Sequence, residues 1–354
     1  MKSIKTGKEK DNIALYRKYR PESFDQILGQ DHIVKTIAGS LEAGKISHAY
    51  LFYGPRGTGK TTIARIIAKV LGTSSNDIYE LDAASNRGID EVRSIKDGVG
   101  TMPFDSKYKI YILDEVHMFT TQAWNALLKT IEEPPAHVIF ILATTDIDKV
   151  PETIMSRCQS FSFRRPSDAI LSKLIKNVAT KEGYVLDDGV AELIALLADG
   201  AFRDALGILQ KVISFSKDKK INILEVEEIT GAPDGLLVCN FLDALAQNDI
   251  DKGLLAIDKA VSQNIEMTTY LKMILYKLRY ALMLRYAPGT RKSIENVLSG
   301  EDLAYLEKLI SNKPINISST TLSILLETYQ DTRNAVISQL PLELALIKIL
   351  NADK

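Results

Sequence analysis

The sequence predicts an α/β fold in its first half, a parallel sheet wound with helices, followed by segments that are helical throughout. Three observations predict this. The runs Tyr50–Tyr53, Ile110–Leu113 and Val138–Leu142 are apolar without alternation, as strands covered on both faces are. Helix-period stretches lie between them, at Ile63–Leu71, Ile89–Gly98 and Thr120–Glu133, and such alternation implies parallel strands with crossover helices. From Pro166 onward the strand pattern vanishes.

Composition bounds the rest. A chain of 354 residues suggests two or three domains. Forty-four Lys and Arg against 45 Asp and Glu leave a net charge of −1, so the chain is not a globally basic nucleic-acid binder. Any contact with DNA must come from a local patch or from several subunits presenting one. Two distant cysteines, Cys158 and Cys239, argue against a disulfide framework and exclude a four-cysteine zinc site within one chain. No signal peptide and no apolar run of transmembrane length is present, which makes a soluble cytoplasmic protein the expectation.

Taken in order, residues 1–12 are lysine-rich and aperiodic and read as a disordered lead. Leu15–Gln30 is basic and aromatic up to Pro21, then turn-like, and leads into a helix over Asp31–Glu42. Tyr50–Tyr53 is a buried strand. It runs into Gly54, Pro55, Arg56, Gly57, Thr58, Gly59, Lys60, Thr61 and Thr62, and then into a helix. This is a P-loop in the strand–turn–helix context it requires. The glycines allow backbone conformations that point consecutive N–H groups at an anion, and the helix N-terminus adds positive potential. Lys60 then suits β- and γ-phosphates, and the Thr61 hydroxyl suits Mg²⁺.

A second strand spans Asn76–Ala84. The apolar run ending in Asp114 and Glu115 matches the Walker B pattern. Acids at the carboxyl end of such a strand sit at the crevice beside the P-loop, where Asp114 can hold Mg²⁺ and Glu115 can polarise an attacking water. Thr120–Glu133 is an amphipathic helix stopped by Pro134 and Pro135, and the strand His137–Ala143 ends at Thr144 and Thr145. Either threonine can reach a γ-phosphate or the water; Thr145 is favoured. Arg157, in Ser156–Cys158, reads by itself first as an ordinary surface charge and only second as a finger for a neighbouring subunit's nucleotide. Helices over Ser167–Glu182, Asp188–Asp199 and Ala201–Phe215 form a small helical domain with Arg203 at the start of the third, and Gly231–Gly235 is a linker. Beyond it, Leu271, Ile274, Leu275, Leu278 and Leu282 share one helix face. Leu340–Leu350 is apolar nearly all round, so it lies deep in a core or against another chain.

These motifs together resemble the gamma/tau subunits of bacterial replicative clamp loaders, which are AAA+ ATPases. The resemblance rests on Arg17-Lys-Tyr-Arg-Pro, Ile27-Leu-Gly-Gln, the P-loop, Leu81-Asp-Ala-Ala-Ser-Asn, Leu113-Asp-Glu-Val-His-Met, Asn125-Ala-Leu-Leu-Lys-Thr, Glu132-Glu-Pro-Pro, Leu142-Ala-Thr-Thr and Ser156-Arg-Cys. It spans roughly Leu15–Leu350 and is looser after the first 230 residues. It implies an AAA+ P-loop ATPase domain over 13–165, an all-α lid over 166–231 and an all-α collar over 235–354. It assigns Arg157 as a finger acting in trans, Arg203 as the second sensor, and Thr145 or Thr144 as the first. Tyr19, Arg20, Pro21, Ile27 and Leu28 match the segment that cradles adenine and ribose. The helix around Arg87 and Arg93 matches a DNA-facing region, although a solvated charged face fits it as well.

The resemblance implies ATP and Mg²⁺ as ligands. It also implies other clamp-loader subunits of delta and delta-prime type, copies of this chain, a sliding clamp and primer–template DNA as partners. The activity would be ATP-dependent loading of the clamp onto primed DNA. Two departures stand out. The family's four-cysteine zinc module is missing where Leu71 passes through Gly-Thr-Ser-Ser to Asn76, so no zinc is expected. The chain also stops after the collar, as the shorter gamma form does. A replication factor C-type small subunit and a non-hydrolysing scaffold subunit are the rival readings. The stretches at Asp82 and Glu133 oppose the first, and Lys60, Asp114 and Glu115 oppose the second.

Overall fold

The computed structural model describes residues 13–86, 88–295, 297–312 and 314–351. The lead over 1–12 and Arg87 lie outside the described residues. The chain divides into two compact units, Met1–Ile170 with Ala198–Gly207, and Leu171–Leu197 with Ile208–Lys354.

In the first unit, α1 (Leu15–Lys18) and α2 (Asp31–Glu42) precede β1 (Ala49–Tyr53). Then α3 (Lys60–Val70) leads to β2 (Ile78–Asp82), α4 (Ile89–Val99) to β3 (Lys109–Asp114), α5 (Thr121–Glu132) to β4 (Val138–Thr144), and α6 (Glu152–Met155) to β5 (Gln159–Ser162). The strands are all parallel in the order β2-β3-β4-β1-β5. After β1 the chain crosses to the far edge, winds back through β3 and β4, and returns to β1's side before crossing again to β5. The carboxyl end of β1 therefore lies where the winding reverses, the place where open α/β sheets bind ligands.

The apolar runs lack alternation because both faces are covered. Leu51, Tyr111, Leu113, Phe140 and Leu142 pack with Val92 and Val99 of α4 and Trp124 and Leu127 of α5. The alternate residues Tyr50, Phe52, Ile112, Ile139 and Ile141 pack with Ile33 and Ile37 of α2 and Ile63 and Ile67 of α3. Period-two side-chain placement sends neighbours to opposite layers. Phe140 is fully buried, so its truncation to Ala should cost about 3–5 kcal/mol.

Helix ends follow the local chemistry. Thr120 Oγ1 accepts the Ala123 N–H at 3.2 Å, an N-cap contribution of about 1 kcal/mol. The helix stops at Glu132, and Glu133 takes φ −130°, ψ 64°, because Pro134 disfavours helical geometry in the residue before it. Strand β5 had no clear signature. It is an edge strand in which Phe161 alone is buried, so Gln-Ser-Phe-Ser reads as polar.

Next come α7 (Asp168–Glu182), α8 (Val190–Leu197), α9 (Phe202–Phe215) and α10 (Ile223–Thr230). The expectation that strands vanish after Pro166 needs one correction. In the second unit, β6 (Val185–Leu186) pairs in parallel with β7 (Lys220–Ile221). Two-residue strands are too short to show a period in the sequence. The rest of this unit is helical: α11 (Gly235–Gln247), α12 (Ile250–Ser262), α13 (Met267–Tyr286), α14 (Arg291–Glu295), α15 (Gly300–Ser311), α16 (Ser319–Asn334) and α17 (Leu340–Leu350). In α13, Leu271, Ile274, Leu278 and Leu282 are buried as their spacing predicts while Leu275 at the edge of that face is half-buried, and Tyr270, Met273 and Tyr280 are buried on other sides. In α17, Leu342, Leu346 and Ile349 are buried, whereas Leu340, Leu344 and Ile347 stay 41%, 57% and 38% exposed. One face of this apolar helix is core and the other is open.

Candidate nucleotide site

The P-loop leaves β1 at Tyr53 and enters α3 at Lys60. Gly54, Gly57 and Gly59 have φ of 139°, 73° and 103°, values that L side chains rarely adopt. Two of these glycines are also held by close approach. A Cβ on Gly54 would collide with the Phe163 carbonyl oxygen. A Cβ on Gly57 would lie 2.8 Å from the Cβ of Ala201, and the Gly57 carbonyl accepts the Phe202 N–H at 3.0 Å. The start of α9 is thereby fastened to the loop. Thr58 Oγ1 donates to the Pro55 carbonyl at 2.9 Å, while Arg56 is exposed and Thr62 half-buried.

Lys60 is buried, and its Nζ donates to the Gly54 and Pro55 carbonyls at 2.7 and 2.9 Å. Burial pulls its pKa below the usual lysine range, and the carboxylates of Glu115 and Asp114 oppose that shift. Thr61 Oγ1 donates to Asp114 Oδ2 at 2.6 Å. Asp114 Oδ1 accepts the Glu115 N–H at 2.9 Å. Residues 53 apart in sequence thus meet beside the lysine.

Beyond Asp114 the backbone turns sharply. Glu115 has φ 49°, a left-handed conformation that costs a non-glycine residue about 1–2 kcal/mol. A single 3₁₀ turn, Val116–Met118, follows. Thr145 Oγ1 donates to Glu115 Oε2 at 3.0 Å. Thr144 is instead turned inward, donating to the Asp146 carbonyl at 2.9 Å and accepting the Asp146 N–H at 3.0 Å. Of the two threonines, Thr145 is the one that faces the acid.

The other candidates sit apart from this cluster. The Arg157 guanidinium donates to Glu132 Oε1 at 2.6 Å and to the Thr153 carbonyl at 2.7 Å. Arg203 lies over the ring of Tyr16, 4.9 Å from its centroid. Arg17 and then Arg203 hold the Tyr16 hydroxyl below the usual phenol range. Tyr19, Arg20 and Pro21 are half-buried. Burial, and then Arg65 on α3, pulls the Arg20 pKa down. Glu22 pairs with Lys69 of α3 at 2.9 Å, tying this segment to the P-loop helix. Ile27 packs on the layer formed by α2 and α3, and Leu28 is 40% exposed. Arg93 is exposed and paired with Asp90 at 3.0 Å.

Sequence reasoning missed four partners: Tyr16 for Arg203, Glu132 for Arg157, Gln30 and His117. The buried Gln30 bridges to the chain beyond β5, donating to the Arg164 carbonyl at 2.7 Å and accepting the Arg164 N–H at 3.2 Å. Only His117 carried a usable signal, an imidazole two residues after the acid Glu115. Among the described residues no group of three or more His, Cys, Asp or Glu side chains is placed to hold a metal ion. None of their helices is long and apolar enough to cross a membrane.

Two family models match. Residues 29–80 and 73–167 match the DNA polymerase III delta subunit, and residues 221–354 match domain III of the gamma and tau subunits of DNA polymerase III. The gamma subunit of Buchnera aphidicola (subsp. Acyrthosiphon pisum) is 33% identical over 96% of this chain and 98% of its own length. The chain belongs to the DNA polymerase III gamma/tau family. It is 39% identical to Bacillus subtilis DNA polymerase III subunit tau over 95% of its own length and 63% of tau's. It spans 56% of the 35% identical gamma/tau subunit of Mycoplasma genitalium, so it covers roughly three-fifths of these longer relatives. The Thermotoga maritima Holliday junction branch migration motor RuvB aligns with a TM-score of 0.52 at 24% identity, over 64% of this chain and 79% of RuvB. This likeness establishes an AAA+ fold. Membership of the gamma/tau family sets aside the replication factor C-type reading.

Proposed function

We propose that this chain is an ATP-hydrolysing motor subunit of a clamp loader that places a sliding clamp on primed DNA. The observation that carries the reading is the meeting of Thr61 and Asp114 at 2.6 Å beside the buried Lys60, with Glu115 and Thr145 adjoining. A scaffold subunit would not need these groups together.

The residues fit ATP and Mg²⁺. Gly54, Gly57 and Gly59 have positive φ, as a loop that turns its backbone around an anion requires, and the Thr61 hydroxyl and Asp114 carboxylate form a hard oxygen pair. Thr61 and Asp114 would hold the ion, which when bound neutralises charge on the phosphate oxygens. Lys60 would exchange its bonds to the Gly54 and Pro55 carbonyls for β- and γ-phosphate oxygens. Tyr19, Arg20, Pro21, Ile27 and Leu28 would flank the base and ribose. Glu115 would accept the proton of the attacking water, held in place by Thr145. Arg203 would leave the Tyr16 ring to reach the γ-phosphate. Its neighbour Phe202 is already bonded to Gly57 of the P-loop, which supports that reach.

Arg157 would act in trans, presented by Glu132 to the nucleotide of the adjacent subunit. We assign the ATPase domain to 13–165, the lid to 166–231 and the collar to 235–354. The open face of α17, with Leu340, Leu344 and Ile347, supports association through the collar with further loader subunits. Arg93, and Arg87 outside the described residues, are assigned to the DNA-facing side.

The test is steady-state ATP hydrolysis by the chain alone, and with delta-type partners, sliding clamp and primed DNA. A low basal rate that rises strongly only with clamp and DNA together is expected. A rate indifferent to both would remove the clamp-loading role, and no hydrolysis under any condition would remove the motor role.

A further inference from the structure

We propose that His117 is a positioning residue for Glu115. Its ring proton sits on Nδ1 and aims the carboxylate from the side opposite the water. The inference deepens the ATPase reading above and rests on it. His117 Nδ1 lies 3.1 Å from Thr144 Oγ1 and 3.4 Å from Glu115 Oε2, and its side chain is 13% exposed.

Hydrogen-bond counting settles the tautomer. A threonine hydroxyl has one proton and two lone pairs. The proton of Thr144 goes to the Asp146 carbonyl, and one lone pair accepts the Asp146 N–H. Only a lone pair remains for His117, so Nδ1 is the donor. Nδ1 also lies 3.4 Å from Glu115 Oε2, an electrostatic contact beside its bond to Thr144, and that oxygen already accepts from Thr145 Oγ1 at 3.0 Å. Both contacts fall on one carboxylate oxygen, which leaves Oε1 for the water.

The turn geometry explains why a residue two positions away can do this. The left-handed Glu115 and the 3₁₀ turn after it bring the side chains of 115 and 117 to one side of the strand end. Thr144 is fully buried, so the imidazole is anchored on a rigid element and the carboxylate is aimed by it. Misplacing a reacting group by about 1 Å can cost on the order of a hundredfold in rate.

The experiment compares the full chain and its His117→Ala, His117→Asn, His117→Gln and Glu115→Gln variants in clamp- and DNA-stimulated hydrolysis. The asparagine amide N–H occupies the place of Nδ1–H, whereas the glutamine amide matches Nε2. His117→Ala should lower kcat roughly ten- to a hundredfold while leaving ATP affinity unchanged. His117→Asn should restore most of the rate, and His117→Gln should not. Parent-like turnover by His117→Ala, with Glu115→Gln inactive, would overturn the positioning role and leave the ATPase reading standing. So would equal rescue by both amides. Parent-like turnover by Glu115→Gln would overturn the assignment of Glu115 as base, and this inference with it. A readout independent of activity is the ¹⁵N spectrum of the imidazoles, with His117 assigned from the His117→Asn variant. A proton on Nδ1 is expected, and an unprotonated Nδ1 would refute the geometry.

Discussion

Gly57→Ala tests whether the P-loop and the start of α9 are mechanically one piece. Two costs add. At φ 73° an alanine pays about 1–2 kcal/mol for left-handed geometry. Its Cβ would also sit 2.8 Å from Ala201 Cβ, so Ala201 must retreat by roughly 0.7–1.2 Å to reach ordinary van der Waals distance. Ala201 immediately precedes Phe202, whose N–H donates to Gly57 O at 3.0 Å. A retreat of that size stretches this bond out of range, a loss of about 1 kcal/mol. The sum is about 2–3 kcal/mol, felt locally. The probe is exchange of the Phe202 amide with solvent, which should speed up roughly 30- to 150-fold. Adding Ala201→Gly removes the clashing methyl, so the double variant should recover about fivefold, the share due to the contact alone. A Phe202 amide unchanged by Gly57→Ala, or a double variant that recovers nothing, would refute the claim that this contact holds α9 to the loop.

Arg157→Ala should leave ATP binding intact and lower stimulated hydrolysis on the order of 10³-fold; unchanged stimulated turnover would sink the trans assignment. Burial pushes the Glu227 carboxyl up to about 7. Its protonated form is therefore favoured by folding, and the stability it contributes is present at low pH and lost as pH rises from about 4.5 to 7. Glu227→Gln should stabilise the second unit at pH 8 by about 1–3 kcal/mol, after allowance for partial exposure, and flatten its unfolding midpoint between pH 5 and 8. Asp77 accepts the backbone N–H groups of Phe104, Asp105 and Ser106. Although its own burial works the other way, these bonds hold its carboxyl below the usual range. Its contribution is thus present above the ordinary aspartate range and lost as pH falls through the depressed value. Asp77→Asn should expose the Phe104–Ser106 loop to proteolysis at neutral pH, where the parent resists.

How much was legible in advance varies residue by residue. The P-loop could be read because its chemistry is local: three glycines, a lysine and a threonine at fixed spacing between an apolar strand and a helix leave few alternatives. Asp114 and Glu115 could be read because a strand buried on both faces cannot end in two acids without a crevice to receive them. The helix boundaries at Thr120 and Pro134 also followed from neighbouring residues alone, since caps and proline act within one turn. Strand β5 and the two-residue strands β6 and β7 escaped because their pairing is non-local and their patterns are too short or too polar to show a period.

The tertiary structure decided the rest. Which threonine faces Glu115 depends on a single residue of register at the end of β4, and periodicity marks both threonines alike. The ring proton of His117 follows from how many bonds Thr144 has already made. The partnership of Arg157 with Glu132 and of Arg203 with Tyr16 depends on which elements the fold brings together. By itself the sequence determined the sheet, the phosphate loop and its acids, because those rest on local chemistry and burial. The aim of each side chain was left to packing, because a hydrogen bond between residues far apart in the chain leaves no mark on the sequence around either one.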